Sequence, residues 1–532
     1  MKKIYFLIFI IANATFAQIS QVKDIFAGAT MGVQNSGSPS VLFDFNGTLL
    51  FRANTATNGV ELWKSDGTDT GTIQIQDIAN GTTNSNPSNF TLFKNEIYFN
   101  ATTGTAVTGS ELYKTDGTTA GTVLVKDIRP GTASSNPSDL TVIDSNTMVF
   151  GATDGVQGVE LWKTDGTTAN TINIIDYAGT QGSITWIKNL LGTAICGQIV
   201  GATGREIYKS DGTTANSALV TDTFAGTSSG AGTTAVVFNN EVYYAGDSGT
   251  TGFELWKTNG TAAGTVLVKE ILAGTAGSAP KRYAVLGNNL YFNAVGTNGA
   301  ELWKTDGTTA GTVEVVDINL GATGSNPDQI AEANGAIYYF ASDNNLNYDL
   351  YKFDGTTNIK LLDANALTAT VTSNFVSLNG LVYFAIDSNS DGNRELWQTD
   401  GTAAGTQSVV AFSSSVINPN KVNFVTLSGN KIFFSAENND GTELFVYNPI
   451  NLSNKKFAIY NLKVYPNPTN EILKIDYVFS EKADYTIYDL TGKKIAQDQI
   501  INNEISLNIE NGIYLLKIET ENQVVTHRII KN

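Results

Sequence analysis

An octapeptide of the form Glu-Leu-Trp-Lys-Thr-Asp-Gly-Thr recurs nine times with small variations, and this repetition constrains the fold more than any other feature. Its anchor acids are Glu61, Glu111, Glu160, Glu206, Glu254, Glu301, Asp349, Glu395 and Glu443. They follow one another at intervals of 50, 49, 46, 48, 47, 48, 46 and 48 residues. A repeat of that length with strand-like patterning is the sequence signature of stacked sheet units, most often a propeller. The second unit shows the pattern. Residues 90–93 alternate, Lys94-Asn95 forms a tight turn, and residues 96–101 return as the second arm of a hairpin. A polar loop leads to a third strand at 111–114. Asp116-Gly117-Thr118 turns the chain into a fourth strand at 122–126.

The two ends of the array are out of phase with its middle. Val22-Lys23-Asp24-Ile25 copies a fourth strand before any complete unit has begun. The ninth unit stops after its third strand, at residues 443–447, and Asn448-Pro449 follows. The first strand is therefore expected to complete the last unit and leave no open sheet edge. The expected fold is all-β: a propeller of nine blades, or eight if one unit is absorbed differently, followed by a small C-terminal β-sandwich. The seventh unit is the most divergent, since after Asp349-Leu350-Tyr351-Lys352 it lacks the second Gly-Thr pair.

Recurrence also explains the motif residues. One aromatic per unit suits packing between units, and Asp-Gly-Thr suits a turn in which the carboxylate bonds its own backbone. The anchor acids and their lysines are expected to pair across units. A cation-binding ring of acids is the sharper alternative.

Composition narrows the chemistry. The formal net charge is −17, and loss of Lys2 and Lys3 with a leader makes it more negative. Such a surface repels nucleic acid and anionic membranes. There is one cysteine, Cys196, and one histidine, His527, so disulfides within the chain and multi-cysteine or multi-histidine zinc sites are excluded. A single histidine near the C-terminus argues against Ser-His-Asp or Cys-His catalysis. Cys196 reads as a small buried hydrophobe.

The first residues read as an export signal over 1–17. Lys2 and Lys3 form the basic region, residues 4–11 the apolar region, and Ala17 the cleavage point. No later segment approaches the ~18 apolar residues of a membrane span. The domain expectation is a signal peptide at 1–17, repeats at 18–450, a linker at 451–460 and a terminal domain at 461–532.

Glu111 to Thr122 and Glu301 to Thr312 match in full the pattern of the ELWxxDGT repeat family of secreted bacterial proteins, which the region 20–450 resembles. Asn259 replaces the turn aspartate in the fifth unit, and Asn170 and Asn216 replace the later glycine in the third and fourth. The turn also looks distantly like the Asp-box of sialidase-type propellers. The C-terminal part carries Val464-Tyr465-Pro466-Asn467-Pro468-Thr469, then Tyr488-Asp489-Leu490-Thr491-Gly492-Lys493, then residues 511–518 as Asn-Gly-Ile-Tyr-Leu-Leu-Lys-Ile. Order and spacing resemble the type A sorting domain of the type IX secretion system. That resemblance implies a partner, the secretion machinery, acting through residues 461–532. It also implies a destination at the outer-membrane surface or in the medium.

Residues that break the repeat are the candidates for chemistry. Asp387-Ser-Asn389-Ser-Asp391-Gly392 fits the first half of a calcium loop, in which alternate oxygens converge on a hard cation. Gln398 stands where a complete loop would carry glutamate, so calcium at Asp387, Asn389 and Asp391 is the metal expectation. Arg205, Lys281, Arg282 and Arg394 are also unpatterned and suit a carboxylate or sulfate if brought together. Two functions fit. One is a non-catalytic surface protein that binds an extracellular glycan or protein. The other is a secreted glycoside hydrolase or lyase built on a propeller.

Overall fold

The computed structural model describes residues 18–30, 33–104, 108–156, 158–175, 182–200, 203–343, 348–363, 374–388, 393–409, 420–449, 457–458, 463–476, 482–489, 493–519 and 523–532. The signal-peptide expectation at 1–17 lies outside these residues. The chain divides into two compact units, Met1–Pro449 and Ile450–Asn532.

The first unit is all-β. Among the described residues it holds nine four-stranded antiparallel sheets, numbered here in chain order, and a two-stranded ribbon at Ala29–Thr30 and Val33–Gln34. Sheet two is typical: Ser88–Phe93, Glu96–Thr102, Ser110–Thr115 and Val123–Lys126, each strand bonded to the next. Its Lys94-Asn95 turn places both residues at positive φ, 52° and 61°, which is the geometry of a tight two-residue hairpin. Sheet nine is assembled differently. Its strands Asn420–Ser428, Lys431–Asn438 and Gly441–Asn448 are completed by Gln18–Lys23, with Gln18 opposite Asn448 and Lys23 opposite Leu444.

Alternation along the third strand tells each sheet which neighbour it faces. The motif leucine points to the following sheet and the motif aromatic, one residue on, to the preceding one. Thus Leu62 packs with Phe90, Ile97 and Phe99 of sheet two, and Tyr113 of sheet two enters the same core. Leu112 and Trp162 share the next core, Leu161 and Tyr208 the one after, and Leu302 and Tyr351 a later one. Leu444 of sheet nine lies in one core with Trp63, Leu49 and Phe51 of sheet one.

The second unit has a five-stranded and a three-stranded sheet. Leu473 and Ile475 of the smaller sheet pack with Ile487, Leu516, Ile518 and Ile529 of the larger in one buried core. Phe457–Ala458, inside the stretch expected to be a linker, adds a short parallel strand against Gln523 and Val524.

Candidate functional site

What the recurring polar residues bind decides whether they are free for a ligand. Each anchor glutamate leaves the third strand one residue before the motif leucine, and its carboxylate is fully buried in most units. Glu61 accepts hydrogen bonds from the backbone N–H of Ile78 (2.8 Å), Ala79 (3.3 Å) and Ser85 (3.1 Å) and from Ser85 Oγ (2.6 Å). Glu111 does the same with Ile128 and Ser135, and Glu254 with Ile271, Leu272 and Ser278. The glutamate thus clamps the segment that leads from one sheet to the next, satisfying buried N–H groups that would otherwise be orphans. Glu443 closes on Ile25 N (3.0 Å) and Gly37 N (2.7 Å), so the N-terminal segment occupies the place that the connecting segment takes elsewhere. A Cβ at Gly37 would stand 2.6 Å from that carboxylate, which is why serine gives way to glycine there. Burial pushes the carboxyls of Glu61, Glu301 and Glu443 up to about 7, against the pull of these donors. The carboxylates of these clamps are spent on N–H donors, which overturns the reading of the acids as a cation-binding ring.

The motif lysines also depart from expectation. Several cross to the next sheet and there meet a backbone carbonyl rather than a carboxylate, while Lys114 and Lys257 pair with Glu96 and Glu241 of their own sheets. Lys64 Nζ reaches Gly117 O (2.8 Å), Lys163 reaches Gly212 O (2.7 Å) and Lys352 reaches Gly401 O (3.2 Å). Fourth-strand lysines do likewise, Lys126 to Thr171 O and Lys269 to Thr312 O, both at 2.7 Å. A turn glycine presents its carbonyl at a fixed place, so it can serve one unit as well as another.

The Asp-Gly-Thr segment is the turn the sequence implies. Asp116 Oδ1 accepts from Thr118 N (2.8 Å) and Oγ1 (2.7 Å), which holds its carboxyl below the usual range. A Cβ at Gly121 would meet that carboxylate at 2.1 Å, so the later glycine of the motif is a clearance. Where asparagine stands instead, its amide is accommodated as a donor: Asn170 Nδ2 to Asp165 Oδ2 and Asn216 Nδ2 to Asp211 Oδ2, both at 2.6 Å.

The unpatterned residues are separated. Arg205 bonds Ala231 O between sheets four and five (3.2 Å). Arg282 pairs with Asp328 between sheets six and seven (2.8 Å), and Arg394 bonds Val422 O between sheets eight and nine (3.1 Å). Each fastens a different pair of sheets, so they form no shared anion site; Lys281 is exposed beside Arg282. Of the expected calcium ligands, Asp387 follows strand Leu381–Ile386 and is half-buried, and its charge acts on Arg394. Asn389 and Asp391 lie outside the described residues. Among the described residues no group of three or more His, Cys, Asp or Glu is placed to hold a metal ion. Cys196 is fully buried on strand Thr193–Ile199, and burial pushes its thiol up to about 12, as a packing residue requires. His527 sits on Gln523–Lys531 in the C-terminal unit, and burial lowers its pKa.

Among the described residues there is also a concave site. A cavity of about 370 Å³ lies between sheets four and five, with Lys209, Thr193, Asn240 and Asn259 as its polar groups and Leu191 and Ile195 as apolar ones. The sequence shows Asn259 as a departure from the repeat, but nothing in one dimension joins it to Thr193 and Ile195.

An all-β protein of propeller-like sheets with a sorting module is the class that fold and termini define. Residues 463–532 match the family model described as a secretion system C-terminal sorting domain. That module assigns the chain to type IX export toward the cell surface or outer membrane, and its partner is the secretion machinery. Similar solved structures include prolyl endopeptidases, with 12% identity, a TM-score of 0.38, and coverage of 76% of this chain and 55% of that one. The chain therefore spans little more than half the length of that enzyme. The β-propeller domain of the Trilobed protease from Pyrococcus furiosus matches at 13% identity over 65% of this chain and 98% of its own, with a TM-score of 0.34. PorZ, a surface component of the type IX secretion system of Porphyromonas gingivalis, matches at 12% identity over 92% and 80%, with a TM-score of 0.25. No curated protein matches the chain. No described helix is long and apolar enough to cross a membrane.

Proposed function

We propose that residues 18–450 form a closed nine-bladed propeller of the ELWxxDGT type that acts at the cell surface as a non-catalytic recognition protein for an extracellular glycan or protein. Closure is supported by the pairing of Gln18–Lys23 with Gly441–Asn448 and by the core that joins Leu444 to Trp63. The reading of function rests on one observation. Most of the acids, lysines and aromatics that recur in this chain are taken up by clamps, stitches and cores, which leaves a scaffold whose individuality lies in loops and inter-sheet gaps. The test is a glycan array followed by product analysis on whatever binds. Binding without turnover is expected. Turnover abolished by replacing a single carboxylate outside the repeat would sink the reading.

Residues 1–17 act as the export leader and 461–532 as the sorting domain proper. Deletion of 461–532 leaves the propeller in the periplasm; recovery of the truncated chain at the surface would refute this. Calcium at Asp387, Asn389 and Asp391 raises the melting temperature of the wild type and not of Asp387→Ala. An equal response in both would remove the site.

A further inference from the structure

At several contacts between sheets a motif lysine approaches the turn of the next sheet, and its surroundings differ from contact to contact. Between sheets two and three, Lys114 pairs with Glu96 at 3.0 Å. Tyr98 bonds the same acid through its hydroxyl (3.4 Å) and fills the space against the turn, where a Cβ at Gly166 would stand 2.2 Å from Tyr98 Oη. Asp165 adds a further negative charge beside Tyr98. The contact between sheets five and six repeats this: Lys257 pairs with Glu241 at 2.9 Å, Tyr243 bonds Glu241, and Gly307 and Asp306 complete the turn. At these contacts the ammonium is neutralised and the gap is filled.

Between sheets four and five the same three positions are changed. Register identifies them. Ile195 lies opposite Lys209 as Tyr98 lies opposite Lys114 and Tyr243 opposite Lys257. Thr193 opens its strand two residues earlier, as Glu96 and Glu241 do. Asn259 takes the turn position of Asp165 and Asp306. One exchange removes a phenol and each of the other two removes a carboxylate. What remains is the cavity of about 370 Å³, a size suited to a small organic ligand. Lys209 keeps its bond to Gly260 O (3.1 Å), and no carboxylate among the described residues pairs with it. Asn259 Oδ1 accepts from Thr261 N (3.0 Å) and Oγ1 (2.7 Å), as the aspartate would, so its amide NH₂ replaces an acceptor with a donor. Asn240 and Thr193 add an amide and a hydroxyl. At the rim Leu191 is 80% exposed and has positive φ (51°), in a hairpin turn where Asn46, Asn239 and Asn334 stand in other units.

We propose that this cavity is a binding site for a sugar that carries a carboxylate, of the hexuronic acid class. Lys209 and the amide of Asn259 receive the carboxylate, a charge-assisted interaction in a partly desolvated place. Asn240 and Thr193 bond ring hydroxyls, and Leu191 covers the apolar C–H face, while Ile195 forms the buried floor beneath them. The proposal rests on the recognition reading above and assigns it one site and one ligand class.

The experiment is calorimetric titration of the full secreted chain with D-glucuronate and, separately, D-glucose, at low and high salt. Glucuronate is expected to bind at least about tenfold more tightly than glucose, with the advantage shrinking as salt rises. Asn259→Asp, which restores the residue of the other turns and so keeps the fold, should weaken glucuronate about tenfold or more and leave the melting temperature unchanged. Ile195→Tyr, which refills the gap, should abolish binding; if that variant does not fold, Lys209→Met takes its place. Equal binding of the two sugars, no binding of either, or unchanged affinity in Asn259→Asp would each overturn the proposal. If other glycans still bind the chain in that case, only this pocket is lost. If no glycan or protein binds at all, the recognition reading falls with it.

Discussion

Sheets two and seven have the same four strands and the same register, yet they are fastened by different chemistry. In sheet two Glu111 clamps Ile128 and Ser135, and the hydroxyls of Thr115 and Thr122 meet at 2.7 Å behind the turn. In sheet seven the anchor is Asp349, one methylene shorter, and it pairs with Lys360 of its own fourth strand at 2.5 Å; Lys360 also holds Asp343 at 2.9 Å. Phe353 occupies the place of Thr115, opposite Ile337 as Thr115 is opposite Ile97, and it is buried. The leucine and the aromatic are unchanged: Leu350 faces Phe384 and Val382 of sheet eight, and Tyr351 stacks on Tyr339. The apolar spine is thus the obligatory part of a unit, and the polar fasteners are interchangeable.

Breaking the spine should have the largest effect and should strike both sheets alike. Leu112→Ala and Leu350→Ala remove fully buried side chains, each at a cost of roughly 2–5 kcal/mol. Urea unfolding should give similar losses. A much smaller loss in sheet seven would show that its spine is slack. The fasteners come next. Glu111→Ala strands buried N–H groups and should cost roughly 1–3 kcal/mol. Asp349→Ala should cost clearly less, because Lys360 keeps Asp343 and is itself partly exposed. Equal losses would mean that the two devices are equivalent after all.

Acidity separates the two types of fastener. The folded pKa of Glu61, Glu301 and Glu443, near 7, lies above the ~4.3 of an unfolded glutamate, so the folded state holds more protons between these values. Their contribution is present below pH ~4.3 and is lost as pH rises through 7. The turn aspartates run the other way. Asp165 and Asp354, held down to about 2, contribute above ~3.9 and lose that as pH falls. Thermal melts across pH should therefore peak between about 4 and 5 and fall by a few degrees toward neutrality. Glu301→Gln should flatten the fall, and an unchanged slope in that variant would count against the clamp's titration. The smallest effect concerns the turn itself. Asn170→Gly restores the residue found at Gly121 and should change stability by less than about 0.5 kcal/mol in the same unfolding assay; a larger loss would mean that the Asn170–Asp165 bond is a fastener of the clamp's rank.

Period and phase made the sheets legible in the sequence, because strand position, turn and packing face all follow from a pattern repeated nine times. The aromatic and aspartate roles were legible for the same reason. The partners of the glutamates and lysines were not, since a backbone N–H or carbonyl carries no side-chain signal and any acid pairs with any base on paper. The candidate cavity was hidden further. Thr193, Ile195 and Asn259 are unremarkable singly, and only strand register places them around one lysine. The pairing of Phe457–Ala458 was not legible in the sequence, because two residues of parallel pairing leave no periodicity to read.

The strand Gln18–Lys23 finds its partner only when Gly441–Asn448 has been made, so nearly the whole repeat region must be synthesised before the first residues can settle. Such a chain has no finished edge to offer while it is still emerging, and long-range pairing of this kind is slow to form. It also brings the first and last strands of the unit side by side. A circular permutant, with these ends joined and new ends cut in an exposed hairpin turn such as Asn334-Gly335, would retain every sheet while moving the slow step elsewhere.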